Sequence, residues 1–306
     1  MRLSRGLIAI AAAAVMTAAA TAAEPATAPV RADTGKPKRL LLVTHSGGFI
    51  HNSVGVAEDV LKEIGPKHGF EVTCYRWTAD TNTPEFAKYQ KQFRATTGKP
   101  VEPENCCRVN KETLKNFDCV LFFTTGSGPQ RKNVGPLTPD ELKDLSEWIR
   151  AGGAFAGTHC ATDTLYDTMY GEIIGGFFRT HPPGLQDVKI NVEDPKHPAA
   201  AGFETGMPYK DEIYIFTDKP YNRDRLHLIL SCEKGSFSPP KNATRGDNDY
   251  AISWCREEGK GKVFYTSLGH QKEVWRDADH FQKHLIGGLM WVTGQAPGSA
   301  SPTGHK

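Results

Sequence analysis

The chain has 306 residues, 39% of them hydrophobic and 24% charged, with 30 glycines and a formal net charge of +2. That length and apolar share support one large domain, and the glycine content fits a loop-rich α/β enzyme better than a helical bundle or a fibrous chain. The near-neutral charge is spread along the chain with no arginine-rich run and no aromatic-basic stripe, which argues against a nucleic-acid partner.

The first segment reads as an address. Arg2 and Arg5 precede an alanine-rich apolar run from Gly6 to Ala20, and Ala20-Thr21-Ala22 is an A-x-A cleavage pattern. Residues 1–23 are therefore expected to be a secretory signal peptide, cleaved near Ala22 or Ala23, which predicts a periplasmic or extracellular protein. Small and hydroxyl residues interrupt the run, and no other segment approaches the roughly 20 apolar residues needed to span a bilayer, so no membrane contact is expected after cleavage. Residues 24–37 read as a flexible linker, 38–294 as the domain and 295–306 as a loose tail. The sequence leaves the oligomeric state open.

Arg39 to His45 is a short apolar run suited to a central parallel strand, followed by the polar loop 46–53. Val54, Val56, Ala57, Val60, Leu61 and Ile64 recur at helical spacing until Gly65-Pro66 stops them. Phe70 to Trp77 is the next strand. Residues 80–110 show little periodicity and read as an insertion over one edge of the fold. Asp118 to Thr124 is a third buried strand, with Thr124-Thr125-Gly126-Ser127-Gly128 as its rim loop. Thr138, Pro139 and Glu141 then form an S/T-x-x-E helix start with proline at the first position, and that helix runs to Ala151. Ala154 to Gly157 is a fourth strand, ending in a sharp turn at Thr158-His159-Cys160.

This alternation implies a flavodoxin-like, doubly wound parallel α/β sheet with ligands bound beyond its carboxyl ends. After residue 185 come strand-like segments at 187–192, 212–216, 226–231, 250–254 and 262–266, so the second half should extend the sheet with antiparallel strands. A helix over 279–293 closes the domain, packing Phe281, Leu285 and Leu289 on the body.

Seven cysteines in an exported chain raise the expectation of disulfides, with Cys232 and Cys255 able to meet across a sheet and Cys106 or Cys107 able to reach Cys74 or Cys119. No C-x-x-C spacing favours a cysteine metal site.

Histidines and carboxylates in polar, glycine-flanked turns are the candidate chemical groups. They are His45 and His51, His159, His181, Asp211 and Glu212, and His270. A lone loop histidine is usually a hydrogen-bonding group, but His51, His159 and His270 all sit at or near strand ends. Imidazoles and a carboxylate brought together from such turns would bind a divalent metal, Zn, Mn, Ni or Fe, and could polarise a carbonyl or activate water. The expected metal set is His51, His159, His181, Glu212 and His270. Without metal, His159, Glu212 and His270 could act as general acid and base, with His51, Asp163, His181 and Tyr214 binding substrate. Asp163 alternatively caps the helix expected after the turn. Trp77, Tyr166, Tyr170, Phe177, Tyr214 and Trp275 are candidate stacking surfaces for a sugar. Cys160 lies one place past the elbow position at which class I glutamine amidotransferases carry their nucleophile, so thiol chemistry is not expected.

The motifs Gly48-Phe49-Ile50-His51-Asn52-Ser53, Gly157 to Thr164, Gly175 to Pro182, Asp211-Glu212-Ile213-Tyr214, Gly259 to His270 and His284 to Trp291 resemble, in order, those of the ThuA-like (trehalose-utilisation) family. The resemblance covers residues 38–294. It implies a class I glutamine amidotransferase-like fold, a small-molecule carbohydrate partner and work on oxidised (3-keto) sugars, with His51, His159, His181, Glu212 and His270 as the polar site. Cys160, where the family usually has serine or alanine, and the Cys106-Cys107 insertion depart from its pattern. The expected function is thus an exported enzyme acting on a sugar or keto-sugar, the alternative being a non-catalytic carbohydrate-binding or accessory protein on the same scaffold.

Overall fold

The structure, a computed structural model, describes residues 35–126 and 135–304. The expected signal peptide and most of the expected linker lie outside the described residues, as do Ser127 and Gly128 of the third loop. The chain alternates at first as expected: β1 (Lys38–Val43), α1 (Val54–Ile64), β2 (Phe70–Tyr75), α2 (Pro84–Thr97), the short α3 (Lys111–Leu114), β3 (Cys119–Phe122), α4 (Pro139–Arg150) and β4 (Ala154–Thr158). Then come α5 (Tyr170–Ile174), β5 (Phe178–Thr180), β6 (Gln186–Val192), β7 (Pro208–Asp211), β8 (Ile215–Phe216) and β9 (His227–Cys232). The chain closes with β10 (Ala251–Glu258), β11 (Gly261–Thr266), α6 (Lys272–Arg276) and α7 (Phe281–Val292).

One sheet has the order β2-β1-β3-β4-β11-β10-β9-β6-β7. Its first five strands are parallel, because β11 pairs in parallel with β4 before turning into the antiparallel half. The order of that parallel part is the flavodoxin-like one. Leu40 to Val43 of β1 and Val120 to Phe122 of β3 are fully buried, as strands covered on both faces by helices must be. Two apolar clusters line the two faces, one under α1 and α7 and the other under α4 and α5. Thr138 caps α4 through the expected reciprocal pair with Glu141.

Four expectations need correction. Residues 80–110 contain the 14-residue α2, capped by Thr83 and stopped by Gly98 at φ 75. It buries only Tyr89 and Phe93, too few to give apolar periodicity. The expected strand at 212–216 shrinks to β8, because residues 212–214 leave the ladder after Asp211 and β8 pairs with β5 in a separate two-stranded sheet. The expected loose tail is fastened through residue 304: Trp291 Nε1 donates to the Gly298 carbonyl at 3.0 Å, and Thr303 N donates to the Leu226 carbonyl at 2.9 Å. All seven cysteines are free, and the residue opposite Cys255 on β9 is His227, not Cys232. No helix of the described residues is long and apolar enough to cross a membrane.

A candidate metal centre at the carboxyl rim

The turns leaving β1, β4 and β11 carry His51, His159 and His270 to the rim where such sheets bind ligands. His159 follows β4 at φ 46, a left-handed conformation that a non-glycine residue keeps only when its surroundings enforce it. Here Tyr265 Oη donates to the His159 carbonyl at 2.7 Å, and Thr158 Oγ1 donates to the Leu268 carbonyl at 2.9 Å. The His159 Nδ1 lies 2.9 Å from the Ser267 carbonyl, an acceptor only, so Nδ1 carries the proton. The lone pair of Nε2 therefore faces the rim.

Four groups crowd that nitrogen. His51 Nε2, His270 Nδ1 and the Tyr214 hydroxyl each lie 3.2 Å away, and Glu212 Oε2 lies 3.5 Å away. Glu212 Oε2 is also 3.3 Å from His270 Nδ1. One ligand atom from each of His51, His159, Glu212 and His270 thus falls within 4.8 Å of all the others.

Asp211 holds the frame. Its fully buried carboxylate accepts from Gly269 N at 2.7 Å and Glu212 N at 2.9 Å, tying the Glu212 turn to the His270 turn. Burial pushes its pKa up to about 6 against the pull of those hydrogen bonds. On the other side, Ser53 Oγ donates to the Gly269 carbonyl at 3.3 Å and anchors the His51 loop.

The electrostatics favour neutral imidazoles at the back of the cluster. Burial, helped by His270 and His181, lowers His51 to about 3, and burial with its histidine neighbours puts His159 well below its ordinary value. For His270, burial opposes the charge but the hydrogen bond and charge of Glu212 outweigh it and raise the pKa above 6.5.

These residues fit a divalent cation. Three imidazole nitrogens and a carboxylate oxygen are the donor set of Zn, Mn, Ni and Fe(II) sites. Ligands at about 2.1 Å from one ion lie about 3–4 Å apart, and the separations of 3.2–3.5 Å around His159 Nε2 match that spacing. The His159 Nδ1 bond to a backbone carbonyl is the anchor a metal-bound histidine uses to fix its tautomer. Among the described residues the buried Nδ1 of His51 has no partner, and its Nε2 faces His159 Nε2 at 3.2 Å.

Other expected site residues stand apart. His181 was expected in the metal set, but its Nδ1 sits 3.2 Å from the outer oxygen, Glu212 Oε1, and 2.8 Å from the Pro182 carbonyl. It flanks the cluster with a side chain 37% exposed. Asp163 accepts from Tyr166 Oη at 2.6 Å and sits outside the four-residue set; burial raises it to about 6 against that hydrogen bond. No α-helix follows the elbow for Asp163 to start, because residues 159–162 form a single 3-10 turn. Tyr214 is buried, and burial keeps its hydroxyl protonated. Cys160 packs in the apolar core with its thiol pushed well above the usual range by burial. Trp77, Tyr170, Phe177, Tyr214 and Trp275 are all core residues, and Tyr166 is spent on Asp163. His45 is buried between Trp77 and Tyr89 and hydrogen-bonds Thr78. Thr124 and Thr125, expected to meet a ligand, instead hydrogen-bond the backbone of residues 45–49.

A sequence profile of the ThuA family, described as trehalose utilisation, matches residues 39–292. Two solved ThuA-like proteins share the fold. The one from Bacteroides uniformis ATCC 8492 has a TM-score of 0.59 at 19% identity, covering 88% of this chain and 96% of its own. The one from Parabacteroides merdae ATCC 43184 has a TM-score of 0.53 at 15% identity, covering 86% and 92%. No curated protein is significantly similar in sequence.

Proposed function

The chain belongs to the ThuA, or trehalose-utilisation, family, and on that premise we propose that it is an exported enzyme acting on a sugar or keto-sugar of the 3-keto-glycoside type. The observation that carries the proposal is the convergence of His51, His159, Glu212 and His270 within 4.8 Å. A binding module needs only scattered donors, whereas a reaction centre needs several groups within reach of one atom.

In this reading those four residues hold a divalent cation, which supplies Lewis acidity toward a carbonyl or a bound water. His159 is fully buried with Nδ1 committed to Ser267, so it holds and does not shuttle protons. Proton movement falls to the exposed side. His181 touches the outer oxygen of Glu212 and has a solvent-facing ring, so it can take a proton from a substrate hydroxyl and return it to water. The Tyr214 hydroxyl, kept protonated by burial, is a donor for a substrate oxygen brought to the cluster. Asp211 positions Glu212 and the His270 turn without touching the reacting atoms. Thiol or glutaminase chemistry has no nucleophile here, since Cys160 is buried and held as the thiol.

The test is turnover. The mature chain, stripped with chelator and then reloaded with Zn, Mn, Ni or Fe(II), is incubated with a panel of sugars and 3-keto-glycosides. The expected result is product formation with at least one metal and its loss on chelation. Sugar binding without turnover in every metal state would leave the non-catalytic reading. Export is checked separately: the secreted protein should begin at Ala23 or Glu24.

A further inference from the structure

Among the described residues the exposed large apolar side chains are Phe49, at 68%, and Met169, at 47%. Phe49 belongs to the loop that delivers His51, and its ring stands edge-on to the His51 imidazole with centroids 4.9 Å apart and planes at 79°. It therefore lies at the mouth of the cluster, on the same rim as the half-exposed rings of His181 and His270.

The loop is held firmly. Gly47 N donates to the Thr125 carbonyl at 2.9 Å, Thr125 N to Ser46 Oγ at 3.3 Å and Thr125 Oγ1 to the Phe49 carbonyl at 2.8 Å. Gly48 packs so closely that a Cβ there would lie 2.1 Å from the Gly126 carbonyl oxygen, so only glycine fits. An aromatic ring displayed to water on a pinned backbone keeps its unfavourable exposure and loses the freedom to fold away. It is pre-organised to receive something apolar and flat.

We propose that Phe49 is the sugar platform of this site: it stacks on the C–H face of a cyclic sugar and gives the site a preference for ring sugars over open-chain polyols. The proposal rests on the sugar reading above and specifies how the sugar is held. A ring sugar offers one apolar C–H face and a polar hydroxyl edge. Phe49 matches the first, while His181, His270 and Glu212 match the second. A lipid or protein partner fits less well, because Phe49 is flanked by Ser46, Gly47, Gly48 and exposed Asn52 and forms no broad apolar patch among the described residues.

The experiment measures binding by titration calorimetry to the zinc-loaded mature chain. The probes are trehalose, methyl glucopyranoside and its 3-keto form, with sorbitol as the open-chain control. Phe49→Ala should weaken the ring sugars at least about tenfold, the worth of one good aromatic contact. Phe49→Tyr should bind as the wild type does, sorbitol should be weak throughout, and zinc content and thermal unfolding should not change. Equal ring-sugar binding by wild type and Phe49→Ala, or a Phe49→Tyr variant as poor as Phe49→Ala, overturns the platform while leaving the sugar reading intact. A zinc-loaded wild type that binds no ring sugar overturns both, and is told apart because the wild type itself is silent.

Discussion

Two groups of histidines sit beside a carboxylate in this molecule, and they use their nitrogens in opposite ways. At the rim, His51, His159 and His270 turn nitrogens toward one another and toward Glu212. Around β9 and α7, His197, His227 and His284 point theirs at different partners. His197 Nδ1 accepts from Ala199 N at 3.1 Å and its Nε2 lies 3.5 Å from Cys255 Sγ. His227 faces the Ser301 carbonyl at 2.6 Å with one nitrogen and Asp194 at 2.9 Å with the other. His284 Nδ1 faces the Ala199 carbonyl. Closeness of histidines to a carboxylate is therefore not the mark of a metal site. Convergence of ring nitrogens on one point is, with the innermost ring, His159, anchored through its far nitrogen on the Ser267 carbonyl. The second group ties the 197–200 turn and the C-terminal segment to the sheet.

Substitutions should separate the two groups. His159→Ala or Glu212→Gln should weaken zinc binding, read by competition with a chromophoric chelator, and metal-dependent turnover by at least about 100-fold. Retention of wild-type zinc affinity in both would remove the rim group from consideration. His227→Ala should do the reverse: it removes the partner of Asp194 Oδ2 and of the Ser301 carbonyl, leaving the Asp194 carboxylate, among the described residues, only its bond from Lys196 N, and costs about 1–3 kcal/mol in denaturant melts, while zinc affinity stays unchanged.

Acid should expose a feature that the two groups share. Burial holds His51 and His197 at about 3 and His284 at about 4, so these rings are neutral in the folded chain and take up protons when unfolded. Their contribution to stability is complete above 6.5 and is lost as pH falls from there toward those depressed values, on the order of 1 kcal/mol per ring per pH unit. Denaturant midpoints of the metal-free protein should fall accordingly between pH 7 and 5, about the window in which the unfolded rings take up protons, and His197→Gln should flatten the slope. A His197→Gln slope equal to the wild type's would contradict the burial of that ring as neutral, a comparison in which the opposing contribution of the raised carboxyls of Asp163 and Asp211 cancels. The smallest effect is expected at the elbow, where Cys160→Ser should keep activity within about threefold, since the thiol plays no part in acid-base work. Trapping of a thioester on Cys160 would reverse that assignment.

Much of this was legible in the chain, for a physical reason in each case. Leu40 to Val43 of β1, with β3 and β4, are short runs without charge because both faces of a doubly wound sheet are covered, and α4 announces itself through Thr138, Pro139 and Glu141. Strand ends then predicted His51, His159 and His270 together, since topology alone brings those turns to one rim. What stayed hidden depends on tertiary surroundings. α2 has too small a buried face to show a period, although Thr83-Pro84 and Gly98 mark its ends. The bend after Asp211 is set by bonds to Gly269, 58 residues away. The outward place of His181 and the structural use of His197 and His227 follow from which atoms meet their nitrogens, and no spacing encodes that. Phe49 could have been noticed as an aromatic residue alone in a polar glycine loop.

The central claim is that His51, His159, Glu212 and His270 share one cation, and X-ray absorption of the zinc-loaded chain tests it most directly. The account predicts one zinc per chain with imidazole nitrogens and a carboxylate oxygen at about 2.0–2.2 Å, and an imidazole signal that diminishes in His51→Ala and His270→Ala. A zinc shell containing sulfur, or one unchanged by removing those histidines, would contradict it.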